Sequence, residues 1–149
     1  MSSVKDIMVK NVACATPEAT LVEITKLMVE YDCGEIPLVE SKSKRRVIGV
    51  ITDRDIVCRS LAQGNNPLKL KARDCMTTPA VTASLEMMGE DCVELMEQFK
   101  IRRIPVVDDN DILCGMISQA DLVMDVDEES AAEMVQEVST PKNSSQFHH

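Results

Sequence analysis

The apolar residues change their spacing several times within the first third of the chain, and each change marks a predicted element. Residues 12–16 form a short apolar run that Pro17 closes, which predicts a short strand. The next apolar run has helical spacing and opens on a T-x-x-E capping box. The helix that this pattern predicts has Thr20 and Glu23 as its cap and Leu21, Ile24, Met28 and Tyr31 on its apolar face.

Two strands and a second helix follow this first helix. The stretch IPLV at residues 36–39 is a predicted strand in which Pro37 marks either the beginning or a sheet edge. The basic turn SKSKRR then leads to the strand VIGVI at residues 47–51. A helix begins at Thr52 and runs to about Ala62, where Gly64 interrupts it. The predicted order is therefore strand, helix, strand, strand, helix.

The second half of the chain shows the same order with a weaker first helix. Met88 takes the place of the capping Thr20, and Gly89 takes the place of Leu21, so the start of this helix stays open. The later part has a clear apolar face that consists of Cys92, Leu95, Met96 and Phe99.

Three stretches of the first half return in the second half at a nearly constant offset. GVITDRDIV at 49–57 returns as GMISQADLV at 115–123, EIPLV at 35–39 as RIPVV at 103–107, and KDIM at 5–8 as RDCM at 73–76. The chain is thus two copies of one unit, about 4–57 and 72–123, with a linker at 58–71 and a tail at 124–149. An apolar sheet face that one copy cannot bury predicts an α/β (α+β) fold in which the copies pack sheet to sheet with pseudo-twofold symmetry.

Composition narrows the classes of partner. The chain has 149 residues, is 44% hydrophobic and carries a formal net charge of −9, with only three aromatic residues. An acidic chain with so few aromatics is a poor candidate for binding nucleic acid. Because the N-terminus lacks an apolar run and no stretch approaches the ~20 apolar residues of a membrane helix, we expect a cytoplasmic protein without a membrane partner.

Six cysteines raise the question of disulfides or a metal site, but they form no C-x-x-C pair. Five of the six correspond to apolar residues in the other copy, for example Cys92 to Ile24 and Cys114 to Ile48. This substitution pattern is typical of small buried hydrophobic side chains. We therefore expect reduced core thiols, with a redox role or a disulfide as the alternative.

The repeated stretch places T/S-x-x-D where an apolar strand meets a helix, as Thr52 with Asp55 and as Ser118 with Asp121. One interpretation is a capping box, in which the hydroxyl and the carboxylate satisfy backbone amides. The other is a nucleotide site, since a hydroxyl at a helix start can donate to a phosphate and a carboxylate can accept from a ribose diol. The motif by itself is compatible with both interpretations.

The two strand prolines add an apolar component to this candidate site. Ile36 with Pro37, and Ile104 with Pro105, can supply an apolar wall for a base. Because proline has no amide proton, we also expect irregular strand edges there, with backbone groups free to meet the base.

Taken together, the T-P that closes the first strand, the amphipathic helix, I-P-L-V and G-V-I-T-x-R-D-I-V resemble a CBS domain. R-I-P-V-V with G-M-I-S-x-A-D-L-V resembles the second member of a CBS pair, and the resemblance covers residues 4–123. It implies a pseudo-twofold module that dimerises and binds adenosine-containing ligands such as AMP, ADP, ATP, NAD or S-adenosylmethionine. It further implies that Thr52 and Ser118 contact phosphate, that Asp55 and Asp121 contact ribose, and that Ile36 and Ile104 line the base pocket.

The two copies differ around these positions, so their sites need not be equivalent. Gln119 and Ala120 stand where the first copy has Asp53 and Arg54. A basic cluster of Lys100, Arg102 and Arg103 precedes the second I-P strand. Arg54 and Arg103 are candidates for neutralising a phosphate, although such side chains are also commonly just solvated.

The sequence offers little for catalysis. It has no glycine-rich phosphate loop, no histidine outside the terminal pair His148 and His149, and no Ser or Cys with an evident partner base. We therefore predict a non-catalytic regulatory sensor without an obligatory cofactor, in which an adenine nucleotide is the regulatory ligand and an unknown effector protein receives the signal. The alternative is a structural dimerisation or protein-interaction module with vestigial clefts.

The tail is acidic and has no clear periodicity. From residue 124 onward it holds six acidic side chains against one lysine. A helical turn around residues 131–138 and a disordered tail are both compatible with this composition.

Overall fold

The computed structural model describes residues 2–125 and 135–138 of the chain. The helices and strands follow the expected order with two differences: each copy opens on a short additional helix, and the first copy lacks its first strand. They are α1 (Val4–Ile7), α2 (Leu21–Tyr31), β1 (Glu35–Val39), β2 (Val47–Thr52), α3 (Asp53–Arg59), α4 (Ala72–Cys75), β3 (Ala83–Ser84), α5 (Gly89–Phe99), β4 (Arg103–Val107), β5 (Leu113–Ser118) and α6 (Gln119–Val123). Short 3-10 turns at Leu61–Gln63 and Pro67–Lys69 fill the linker.

These elements form two compact units whose boundaries differ from those of the sequence repeats. One unit consists of residues 11–81 and 109–113, and the other of residues 1–10, 82–108 and 114–149. Helix α1 opens the first repeat but belongs to the unit that contains most of the second repeat, and α4 opens the second repeat but belongs to the unit that contains most of the first. We call α1 and α4 the leading helices. We call the unit of residues 11–81 and 109–113 the Thr52 unit and the other the Ser118 unit, after the candidate residues that they contain.

The Thr52 unit is built on an antiparallel pair of strands, β1 with β2, in which Pro37 faces Val50. Its core includes Ile24, Ile36 and Ile51, each fully buried. The leading helix α4 closes this core from one side with Ala72 and Cys75.

Helix α4 is held in the Thr52 unit by a backbone hydrogen bond and by two ion pairs. The amide of Ala72 donates to the carbonyl of Ala19 at 2.8 Å. The exposed carboxylate of Glu18 accepts from Lys71 Nζ at 3.1 Å and from Arg73 at 2.8 Å. The hydrogen bond from Lys71, together with the charge of Arg73, holds the pKa of Glu18 below its usual value.

The Ser118 unit contains a three-stranded sheet in the order β3-β4-β5, with β3 parallel to β4. Its core includes Met96, Ile104 and Ile117, each fully buried. The leading helix α1 packs on this core through Val4, whose amide donates to the carbonyl of Met87 at 2.8 Å.

Both amphipathic helices form where the sequence predicts them. Thr20 caps α2 by accepting from the amide of Glu23 at 3.1 Å. Helix α5 begins at Gly89 without a capping hydroxyl. It keeps one of the two hydrogen bonds of a capping box, since the carboxylate of Asp91 accepts from the amide of Met88 at 2.9 Å. The two helices have the same length of 11 residues, which settles the open start in the second copy.

Several local expectations are wrong. Residues 12–16 do not form a strand, and only Ala15 makes a bridge, parallel to Leu38. Helix α3 ends at Arg59, before Ala62, because Ser60 leaves the helical conformation and its buried hydroxyl donates to the carbonyl of Ile56. Tyr31 and Phe99 are exposed by 42% and 46%, since each is the last residue of its helix.

The strand prolines sit inside their strands. Pro37 is the third residue of β1, and Pro105 is the third residue of β4, which lies between two other strands. The carbonyl of Pro37 accepts from the amide of Ala15, on the side away from β2. Since the proline nitrogen points the same way as its carbonyl, the β1–β2 ladder loses no hydrogen bond there.

All six cysteines lie in the described residues and are free thiols. Cys75 and Cys92 are buried, whereas Cys14, Cys33, Cys58 and Cys114 are half-buried. Desolvation raises the pKa of the Cys75 thiol and raises that of Cys92 to about 11, so both are poor nucleophiles. Along the described part of the chain, no helix has the length and apolar character that crossing a membrane requires.

A short piece of the acidic tail is part of the Ser118 unit. Residues 135–138 are helical, whereas residues 131–134 of the expected turn lie outside the described residues. Val138 is 6% exposed within the core that also contains Met96 and Ile104. Lys100 Nζ donates to the carbonyl of Glu137 at 2.7 Å and to its carboxylate at 3.1 Å.

Replacing Val138 by alanine is therefore expected to destabilise the folded chain by about 1–2 kcal/mol, because buried methyl groups are lost from a packed core. Val135→Ala is the matched control, since Val135 is 43% exposed on the same turn. Urea denaturation of the full chain checks both variants. Equal midpoints for Val138→Ala and the unsubstituted chain would contradict the docking of the tail.

Candidate functional site

Thr52 and Asp55 form one half of the predicted site, at the junction between β2 and α3. The amide of Asp55 donates to Thr52 Oγ1 at 3.0 Å, and the amide of Thr52 donates to Asp55 Oδ2 at 3.0 Å. Both residues are half-buried. Because the Thr52 hydroxyl accepts in this box, its own proton stays available for a further acceptor.

Ser118 and Asp121 repeat this geometry between β5 and α6. The amide of Asp121 donates to Ser118 Oγ at 3.1 Å, and the amide of Ser118 donates to Asp121 Oδ2 at 2.9 Å. Both residues are again half-buried. The capping-box interpretation of the motif is thus confirmed in both copies, and it leaves hydroxyl protons and carboxylate oxygens for a ligand.

A short extended segment runs beside each helix start, directly after the leading helix. In the Thr52 unit it is residue Thr77, whose amide and carbonyl pair with Val50 at 2.8 and 3.0 Å. In the Ser118 unit it is Val9, whose amide and carbonyl pair with Met116, both at 2.9 Å. The leading helices therefore position a backbone segment next to each hydroxyl–carboxylate pair.

Close approach of this segment requires a glycine in each strand. A Cβ atom on Gly49 would lie 2.7 Å from the carbonyl oxygen of Thr77, and one on Gly115 would lie 2.7 Å from that of Val9. These distances are too short for any side chain. The glycine in G-V-I-T and G-M-I-S thus has a steric role that the sequence motif alone did not explain.

Sequence reasoning missed two side chains at the Thr52 site. Thr77 Oγ1 donates to the Asp55 carboxylate, at 3.3 Å from one oxygen and 3.4 Å from the other. Arg59 Nε lies 4.0 Å from Asp55 Oδ1, and its guanidinium also donates to the carbonyls of Cys75 and Met76. The only available signal was the repeat alignment, which places Thr77 opposite Val9.

The structure places the residues of the predicted base wall in the cores. Ile36 and Ile104 are fully buried, and Pro37 and Pro105 are buried beside them. The expectation that the prolines leave backbone groups free at a sheet edge is wrong for Pro37, since its carbonyl already accepts from Ala15. These residues support the strands that precede the site.

The charged candidates lie close to the two helix starts. Arg54 is exposed in the first turn of α3. The carbonyl of Arg102 accepts from the amide of Gln119 at 2.7 Å, so the chain just before β4 adjoins the start of α6, and Arg103 follows as the first residue of β4. Lys100, however, is engaged with Glu137 rather than free for a phosphate.

The part of the chain that the structure describes has no evident metal site. Its His, Cys, Asp and Glu residues form no group of three or more suited to holding an ion. His148 and His149 lie outside the described residues.

Comparison with known proteins matches both halves of the chain to one family. The model of the family described as CBS domain matches residues 4–61 and 72–128. The chain is 37% identical over 140 residues to the CBS domain-containing protein YhcV of Bacillus subtilis, covering 93% of this chain and 96% of that protein. It is also 37% identical over 121 residues to protein MK0525 of Methanopyrus kandleri, where it covers 81% of this chain and 61% of that protein.

A solved structure with the same fold contains adenosine compounds. It is the CBS domain pair of protein MJ0100 in complex with 5′-methylthioadenosine and S-adenosyl-L-methionine, with a TM-score of 0.73 and 25% identity. The similarity covers 83% of this chain and 94% of that one.

Proposed function

We propose that this chain, which belongs to the CBS domain family, is a non-catalytic regulatory module that binds an adenosine-containing ligand at its two hydroxyl–carboxylate pairs. The observation that carries the proposal is their recurrence with one geometry, each half-buried, each beside an extended segment that a glycine admits. The adenosine compounds bound by the CBS pair of MJ0100 support the ligand class.

The chemistry of each pair suits a nucleotide. The Thr52 or Ser118 hydroxyl accepts an amide within its own chain and can donate its proton to a phosphate oxygen. The Asp55 or Asp121 carboxylate accepts one backbone amide and has further lone pairs for the hydroxyls of a ribose. Arg54 and Arg103 are proposed to balance the charge of a di- or triphosphate.

Regulation follows if the ligand binds one conformation of the module better than another, because only such a difference shifts an equilibrium. The proposed recipient of the signal is a separate effector protein, and the proposed assembly is a homodimer.

Asp55→Ala and Asp121→Ala are each expected to weaken the binding of an adenosine ligand by ~1.5–3 kcal/mol, since each removes a charged acceptor of ribose hydroxyls. Isothermal titration of the full chain with AMP, ADP, ATP, NAD and S-adenosylmethionine, with and without magnesium, measures the effect.

Asp91→Ala is the control for this experiment. Asp91 also caps a helix, by accepting from the amide of Met88 at 2.9 Å, but no capping hydroxyl accompanies it. It should cost the same ~1 kcal/mol of stability as any lost cap while leaving affinity unchanged. Unchanged affinity in both Asp55→Ala and Asp121→Ala, or no binding of any of these ligands, would leave the interaction module as the function.

A further inference from the structure

The Asp55 carboxylate has the side chains of Thr77 and Arg59 beside it, and Thr77 has a direct counterpart in the other unit, Val9. Thr77 and Val9 occupy equivalent places, since each pairs through its backbone with the strand ahead of the helix start, Thr77 with Val50 and Val9 with Met116. The two segments thus have the same backbone role. They differ in that Thr77 brings a hydroxyl and Val9, which is 49% exposed, does not.

The Thr77 hydroxyl lies between the two oxygens of Asp55. Its distances of 3.3 and 3.4 Å to Oδ2 and Oδ1 are nearly equal, so it occupies the position between the oxygens. That is also the position from which a vicinal diol approaches a carboxylate when it donates one hydrogen bond to each oxygen. The Asp55 side chain is only 17% exposed, which leaves little room for another approach.

Asp121 lacks such an occupant. Within the residues that the structure describes, its carboxylate accepts only the amide of Ser118, at 2.9 Å from Oδ2. Its other oxygen, Oδ1, is therefore available to a ligand hydroxyl, and no neighbouring hydroxyl must first be displaced.

We infer that Thr77 determines the specificity of the Thr52 site by opposing bidentate binding of a ribose diol to Asp55, whereas the Ser118 site accepts the diol at Asp121. This inference rests on the proposed function, because it requires a ligand with a ribose. The Thr77 hydroxyl then contributes to a difference between the two sites. A ligand with a free diol fills the Ser118 site first unless other contacts, such as that of Arg59 beside Asp55, outweigh the difference.

The test exchanges the two residues, one site at a time. Thr77→Val is measured in an Asp121→Ala background, in which the Ser118 site is weakened, and Val9→Thr is measured in an Asp55→Ala background, in which the Thr52 site is weakened. Each substitution installs the residue that the other unit already carries at the same backbone position. The probes are AMP and S-adenosylmethionine, each together with its 2′,3′-dideoxy analogue, in isothermal titrations of the full chain.

Thr77→Val is expected to tighten binding of the ribose ligand about three- to tenfold, and Val9→Thr to weaken it by a similar factor, the effect of one net hydrogen bond. Neither exchange should alter binding of the dideoxy analogues. Melting curves of the variants establish that each folds.

The possible failures are distinguishable. If the unsubstituted chain binds a ribose ligand and the exchanges leave its affinity unchanged, the inference is wrong and the proposed function stands. Equal changes for the ribose and dideoxy ligands also overturn the inference, since the effect then does not pass through the diol. If neither AMP nor S-adenosylmethionine binds the unsubstituted chain, the proposed function fails and the inference fails with it.

Discussion

Replacing Ile36 or Ile104 by alanine is expected to lower the free energy of unfolding by about 2–5 kcal/mol. Both side chains are fully buried, Ile36 in the core of the Thr52 unit and Ile104 in that of the Ser118 unit. Removing three carbon atoms from such a position costs their transfer from water and leaves a cavity that the neighbouring side chains only partly fill. Urea denaturation followed by circular dichroism measures the loss.

Leu68→Ala is the matched control, because it removes the same number of carbon atoms from a side chain that is 72% exposed. A change within about 0.5 kcal/mol is expected there. The result also decides whether Ile36 and Ile104, which precede the strand prolines, are core residues or line a base pocket. Normal stability combined with weaker adenosine binding in Ile36→Ala or Ile104→Ala would show that these side chains line an open base pocket rather than the core.

Gly49→Ala and Gly115→Ala are expected to destabilise the chain by about 3 kcal/mol, at the upper end of what overpacking costs. The added Cβ would lie 2.7 Å from a backbone oxygen in each case, that of Thr77 or that of Val9. A backbone oxygen cannot rotate away as a side chain can. Relief therefore requires the segment after the leading helix to move, which breaks its paired hydrogen bonds to Val50 or Met116.

Gly34→Ala separates this steric effect from the general effect of losing a glycine. Its added Cβ would also be close to another atom, at 2.9 Å, but that atom is a carboxylate oxygen of the exposed Asp53, which can rotate away. Thermal melting of the three variants is sufficient for the comparison. A Gly34→Ala variant as unstable as Gly49→Ala would mean that backbone freedom, and not the approach of the neighbouring segment, is what these glycines provide.

Much of the fold could be predicted from local patterns. The capping box at Thr20 and the apolar spacing of the helices and strands predicted α2, α5, β1, β2, β4 and β5, because these features depend on residues close together in sequence. Local patterns failed where an element depends on distant partners. Residues 12–16, for example, make a single bridge to β1. The early end of α3 has a local cause instead, since the buried hydroxyl of Ser60 donates to the carbonyl of Ile56 one turn earlier.

In the candidate site, too, the residues related by a short sequence spacing were predicted and those brought together by tertiary packing were not. The T/S-x-x-D pairs were visible because a capping box has a fixed spacing of three residues, and the structure contains both boxes. Thr77 was not visible, since it lies 22 residues from Asp55 and reaches it only because α4 packs on the Thr52 unit. The sequence also did not predict the burial of Val138, because a single valine in an acidic segment has no distinguishing local pattern. The structure places it in the core of the Ser118 unit.

The sequence by itself determined that this chain consists of two copies of one α/β unit of the CBS type, and where each copy presents a hydroxyl and a carboxylate. Periodicity and capping carry that information, because they act between residues a few positions apart. Only the tertiary structure decided that each leading helix packs with the other repeat and places Thr77 beside Asp55 but Val9 on the Asp121 side. Burial of apolar faces brings together segments that are far apart in sequence, and local patterns do not specify which of them meet.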